Sequence, residues 1–103
     1  MEEAVKLPED CADMADVRNG VDALDRELVA LLSTRFGYMR AAARIKQDRG
    51  TVRDETRKAA VIDAVRRTAE LRGLPADAIA DIWDRLVEAS IAYELDEWDA
   101  IRA

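Results

Sequence analysis

From Met14 to Ile45, apolar residues recur at alternating spacings of three and four: Met14, Val17, Val21, Leu24, Leu28, Leu31, then Tyr38, Ala42 and Ile45. The rhythm is unbroken if Arg35 fills the remaining position. Such a seam belongs to an α-helix that packs along its whole length. Asp13 offers an N-cap and Gly50 a stop, which predicts a helix from about Asp13 to about Arg49. At 1.5 Å per residue, about 36 residues span roughly 54 Å. A compact monomer of this size has a radius of gyration of only about 13 Å, so half the seam would protrude uncovered. A second copy in antiparallel twofold pairing is the simplest closed solution, and an intertwined homodimer is the expectation.

The remainder of the chain continues the helical pattern. Residues 1–12 form a leader ending Leu7-Pro8-Glu9-Asp10-Cys11, and Arg49 to Thr56 is a polar connection. A second helix should run from near Asp54 to about Arg72 with Val61, Ile62, Val65 and Ala69 on its apolar face, and Gly73 ends it. Leu74-Pro75 opens a third helix at its first turn, continuing to about Ile101. Its inward residues are Ile79, Ile82, Trp83, Leu86, Val87, Ile91, Trp98 and Ile101. The fold class is therefore all-α: a single domain and a three-helix protomer with one long N-terminal helix.

Several functions are excluded by what the chain contains. Its net charge of −6 makes it a poor nucleic-acid binder, since neutralising phosphates needs surplus Lys and Arg. It has no histidine, which rules out imidazole catalysis and His-based zinc sites. The lone Cys11 has no intramolecular disulfide partner. No apolar run approaches the ~20 residues of a membrane span. Met1-Glu2-Glu3 is no basic signal-peptide start, so a cytoplasmic protein is expected.

Polar residues in apolar places are the functional candidates. Arg35 sits in the seam, where a guanidinium needs an anion, either a ligand or an acid of the partner chain. Lys46 lies 11 residues on, about 20° around the helix and roughly 16 Å along it, so two long cationic side chains share one face. Arg18 is too far along the helix to join them within one chain, although it can enter a partner's site in an antiparallel dimer; alone, it is a solvated cation near Asp22. On the third helix, Ser90 and Glu94 are one turn apart among apolar residues. The bland reading of Ser90 is a hydroxyl bonded to the carbonyl four residues back. Arg53-Asp54 suggests a cap, whereas Arg57 and Lys58 fit poorly with the positive start of a helix and favour an anion nearby.

These residues occur in five ordered segments: Asp16-Val17-Arg18 with Val21-Asp22-Ala23-Leu24-Asp25; Leu31-Leu32-Ser33-Thr34-Arg35; Ala43-Arg44-Ile45-Lys46; Val52-Arg53-Asp54-Glu55-Thr56-Arg57; and Glu88-Ala89-Ser90-Ile91-Ala92-Tyr93-Glu94. Together they resemble the helical chorismate mutase family along nearly the whole chain. The resemblance implies two entwined protomers with two equivalent sites and no cofactor or metal. It implies that Arg18 from the partner, Arg35 and Arg57 bind the carboxylates of a dianionic substrate. Lys46 resembles the lysine on the ether oxygen, Asp54 the acid near the ring hydroxyl, and Ser90 the polar residue of the third helix. Glu94 stands where the common pattern has a glutamine on the ether oxygen, and Lys58 where it has a glutamate near the ring hydroxyl.

The implied activity is the pericyclic conversion of chorismate to prephenate in aromatic amino-acid biosynthesis, which needs preorganisation and charge stabilisation at the breaking ether bond. An ether oxygen only accepts hydrogen bonds, so Glu94 would need a proton to help. The Leu7–Cys11 segment instead resembles isochorismate pyruvate lyases, whereas Val52–Arg57 resembles the mutase loop. A non-catalytic helical dimer is the third reading, with Arg35 paired to an acid instead of a ligand.

Overall fold

The computed structural model describes residues 5–103 and contains three α-helices: α1 (Met14–Ile45), α2 (Glu55–Leu71) and α3 (Ala76–Ile101). Short 3-10 turns at Pro8–Asp10 and Arg49–Thr51 precede α1 and α2, and no strand occurs among the described residues. The all-α, three-helix expectation holds. Residues 1–4 of the expected leader, including Met1-Glu2-Glu3, lie outside the described residues. Among the described residues, no helix is long and apolar enough to cross a membrane. The chain divides after Arg35 into two compact units, each described in turn.

In the N-terminal unit, Asp13 caps α1 by accepting the Asp16 N–H at 2.9 Å. Asp16 binds the preceding segment, its Oδ2 accepting from the Ala12 N–H and from Lys6 Nζ, each at 3.0 Å. These donors, the Ala12 amide foremost, hold the Asp16 carboxyl below its ordinary range. Residues 6 and 12 are thus tied to the first turn of α1. Farther along, Val21, Leu24, Leu28 and Leu31 are exposed in the single chain, Leu31 to 67%.

The C-terminal unit holds the end of α1, with α2 packed on α3. Its core is Val52, Val87 and Ile91, surrounded by Val61, Ile62, Trp83, Leu95 and Trp98. Ala69 on α2 and Ala80 on α3 are also buried, small residues suited to close helix approach. Four expectations need correction here. First, α1 ends at Ile45, four residues early, because Asp48 starts a new turn by accepting the Gly50 N–H at 2.9 Å. Second, the connection is not wholly polar, since Val52 is a core residue. Third, Pro75 caps α3 from outside its first turn. Fourth, Ile82 and Ile101 are exposed. Ile82 lies about 140° around α3 from Val87, at 100° per residue, and Ile101 is the last residue of its helix.

Gly73 ends α2 as expected. Its N–H donates to the Glu70 carbonyl at 3.1 Å, and its φ of 69° turns the chain so that the Leu74 N–H reaches the Ala69 carbonyl at 2.9 Å, a Schellman closure. The segment before α2 is clamped to α3 by charge. Arg53 grips both oxygens of Glu88 at 2.8 and 3.1 Å, and Lys58 bonds Glu88 and Asp84 at 3.0 Å each. Arg53 first, then Lys58, pull the Glu88 carboxyl from 4.5 down to about 2.

Two stability tests follow from these closures. Space for a Cβ at Gly73 is open, so Gly73→Ala should cost only the left-handed backbone strain, about 1 kcal/mol in urea denaturation. A carboxyl whose value is depressed on folding stabilises above its unfolded value and loses that contribution as pH falls through the folded one. Wild type should therefore lose stability between about pH 4.5 and about 2, and Glu88→Gln should lose less over that window while being weaker at neutral pH. Denaturation midpoints at several pH values check both statements.

Candidate active site

Lys46 follows directly on α1, and its N–H still donates to the Ala42 carbonyl at 2.9 Å. Its side chain turns toward α3. There Nζ lies 2.8 Å from Glu94 Oε2 and 3.4 Å from the Val52 carbonyl oxygen. An ammonium carries three N–H donors, so two are engaged and one remains for a ligand. The Lys46 side chain is 31% exposed and that of Glu94 only 5%. A buried carboxylate thus faces a cation that still reaches solvent. Deleting one member of such a pair strands the other charge, at a typical cost of about 3–5 kcal/mol.

Glu94 reaches this position because α3 presents Val87, Ser90, Ile91 and Glu94 on its buried side. Ser90 Oγ donates to the Leu86 carbonyl at 2.7 Å, the local bond expected of a helical serine. Next to Glu94, the Tyr93 ring meets Phe36 edge-on at 4.9 Å and its hydroxyl accepts from Arg40 Nη1 at 2.9 Å.

The remaining candidates fall in two groups. Asp54 caps α2, its Oδ1 accepting the Arg57 N–H at 3.0 Å, and the Arg57 side chain is exposed. The anions expected near the start of α2 are, for Lys58, the protein's own Glu88 and Asp84. Arg18 and Arg35 belong to the N-terminal unit. Arg18 is exposed and forms no ion pair with Asp22, while Arg35 is half-buried and engaged by other groups. Within the C-terminal unit, then, the structure joins Lys46 to Glu94, and Ser90 lies one turn before Glu94.

Two residues that touch the Lys46 backbone carry no functional signal of their own in the sequence. Trp98 was assigned only to packing, yet its Nε1 donates to the Lys46 carbonyl at 3.0 Å. Arg102 was not singled out, and its Nη2 meets the same carbonyl at 2.7 Å. The available signal was the spacing of four between Trp98 and Arg102, which places both on one helix face.

Comparison with known proteins bears directly on this arrangement. The chorismate mutase type II family model matches residues 17–95, a stretch that includes Arg18, Arg35, Lys46, Asp54, Arg57, Ser90 and Glu94. An isochorismate pyruvate lyase of Pseudomonas aeruginosa is 32% identical over 98 residues, covering 95% of this chain and 97% of that protein. The T-protein of Haemophilus influenzae is 33% identical over 82 residues, which is 79% of this chain but only 22% of the T-protein. With the family pattern spanning most of the chain on an all-helical fold, this protein belongs to the chorismate mutase type II family.

Proposed function

We propose that this protein is a chorismate mutase, rearranging chorismate to prephenate without a cofactor as an antiparallel homodimer with shared sites. The observation that carries this reading is the Lys46–Glu94 pair, a cation with one free donor held against a buried carboxyl. In the rearrangement the ether bond breaks as a new carbon–carbon bond forms, and negative charge grows on the ether oxygen. Lys46 donates to that oxygen, and this interaction strengthens as the charge develops. Arg35, Arg57 and a partner's Arg18 hold the two carboxylates, as the family resemblance assigns them. Asp54 serves the ring hydroxyl, and Ser90 borders the site. Binding restricts a flexible dianion to its reactive shape, which lowers the entropic part of the barrier.

Glu94 completes the oxygen's surroundings only as a carboxylic acid. In the free protein Lys46 balances it.

Homodimerisation is supported by the apolar stripe of Val21, Leu24, Leu28 and Leu31, exposed along a 32-residue helix. A second copy offers the same stripe, which antiparallel pairing matches to itself.

A second reading, isochorismate pyruvate lyase, is favoured by the likeness to the Pseudomonas aeruginosa protein of that name over 95% of the chain. Incubation with chorismate and with isochorismate, with products identified, decides between them. Prephenate from chorismate is expected; pyruvate and salicylate from isochorismate, with chorismate untouched, would overturn the mutase reading.

Two further outcomes probe the mechanism. Glu94→Gln supplies a donor that does not titrate, so it should extend activity to higher pH than wild type, while Glu94→Ala should lose activity at every pH; identical profiles for wild type and Glu94→Gln contradict the acid role. Mixing inactive Arg18→Ala and Arg35→Ala chains should restore about half of the activity of a wild-type dimer in each heterodimer, because one of two sites is intact. No recovery after verified subunit exchange contradicts the shared site.

A further inference from the structure

Lys46 stands where α1 has ended, so its side chain could swing with its own backbone. Helix ends also leave carbonyls without intrahelical partners. Here both matters are settled by Trp98 on α3 and by Arg102, the residue that follows the helix. Arg102 Nη1 donates to the Ala43 carbonyl at 3.1 Å, and Nη2 donates to the Lys46 carbonyl at 2.7 Å. Trp98 Nε1 donates to that same Lys46 oxygen at 3.0 Å. The Arg102 guanidinium lies over the Trp98 ring, 4.1 Å from its centroid, and Nη1 also reaches the Trp98 carbonyl at 3.3 Å. Stacking fixes the plane of the guanidinium, and the fork then meets the Ala43 carbonyl in α1's last turn and the Lys46 carbonyl just beyond it. The backbone of Lys46 is therefore held at its N–H by Ala42 and doubly at its carbonyl.

We propose that Trp98 and Arg102 are positioning residues for Lys46: they fix its peptide unit so that its ammonium meets Glu94 and, on the mutase reading above, the ether oxygen of the substrate. Two of these donors, Trp98 Nε1 and Arg102 Nη2, meet on the carbonyl of Lys46, the residue whose side chain reaches Glu94. Both residues lie outside the stretch 17–95 matched by the family pattern. Arg102→Lys keeps the charge but replaces the planar fork with a point donor that cannot stack as a plane on the Trp98 ring. A phenylalanine at position 98 keeps a ring beneath the guanidinium and removes only the N–H.

The test uses the full chain with Trp98→Phe, Arg102→Lys and Arg102→Ala. The Lys46 ammonium is followed by proton–nitrogen NMR, its signal identified by disappearance in Lys46→Arg. In the folded variants that signal should shift and broaden, most in Arg102→Ala and less in Arg102→Lys. Turnover should fall about tenfold in kcat with KM changed less than about twofold, as expected when a reacting group is misplaced. An ammonium signal unchanged in folded Trp98→Phe and Arg102→Ala overturns the positioning role, whatever turnover does. A changed signal with wild-type turnover upholds positioning and contradicts instead the assignment of Lys46 to catalysis.

Discussion

A carboxylate with only 5% of its side chain exposed is costly to bury, and Lys46 is what makes Glu94 tolerable there. Much of the surrounding architecture serves that pairing. α1 must stop at Ile45 so that Lys46 can turn toward α3, and the Asp48-capped turn that follows returns the chain to place Val52 in the core. The Val52 carbonyl then supplies the second acceptor of the ammonium. Farther along, Arg53 and Lys58 tie the start of α2 to Glu88, on the same helix that carries Glu94. The site rests on charge pairs graded from the exposed clamp to the buried carboxyl, and surface members of such networks contribute little individually.

The second constraint is length. A 32-residue α1 with exposed leucines on its seam costs a lone chain roughly 25 cal/mol for each Å² of apolar surface left in water. On the proposed reading, pairing with a second copy would remove that cost and deliver Arg18 to the partner's site. Stability and chemistry would then share one interface.

The helices were legible because their signals are local. Asp13 and Asp54 both act as the caps that their type and position suggested, and Gly73 takes the left-handed conformation that a stop requires. Of the site, Glu94 was readable, since a carboxyl inside an apolar stripe is rarely buried without a partner, whereas Lys46 taken alone reads as a solvated lysine. That they pair with each other was not readable, because 48 residues separate them and only tertiary packing sets the distance. The same limit hid Trp98 and Arg102. Their donors seek backbone carbonyls, and every residue has one, so no sequence pattern marks the acceptor. Val52 was lost in a run of charged neighbours, where a single buried residue leaves no periodicity. Ile82 failed in the opposite way, its apolar character suggesting burial while its angle around α3 turned it outward.

The account stands or falls on what happens to the Lys46–Glu94 pair when a dianion arrives. Calorimetric titration with a stable dicarboxylate that mimics the cyclic transition state measures how much affinity passes through this pair. If the Lys46 ammonium serves the ligand, wild type should bind tightly and folded Lys46→Ala should lose about tenfold or more in affinity. Equally tight binding by folded Lys46→Ala would contradict it.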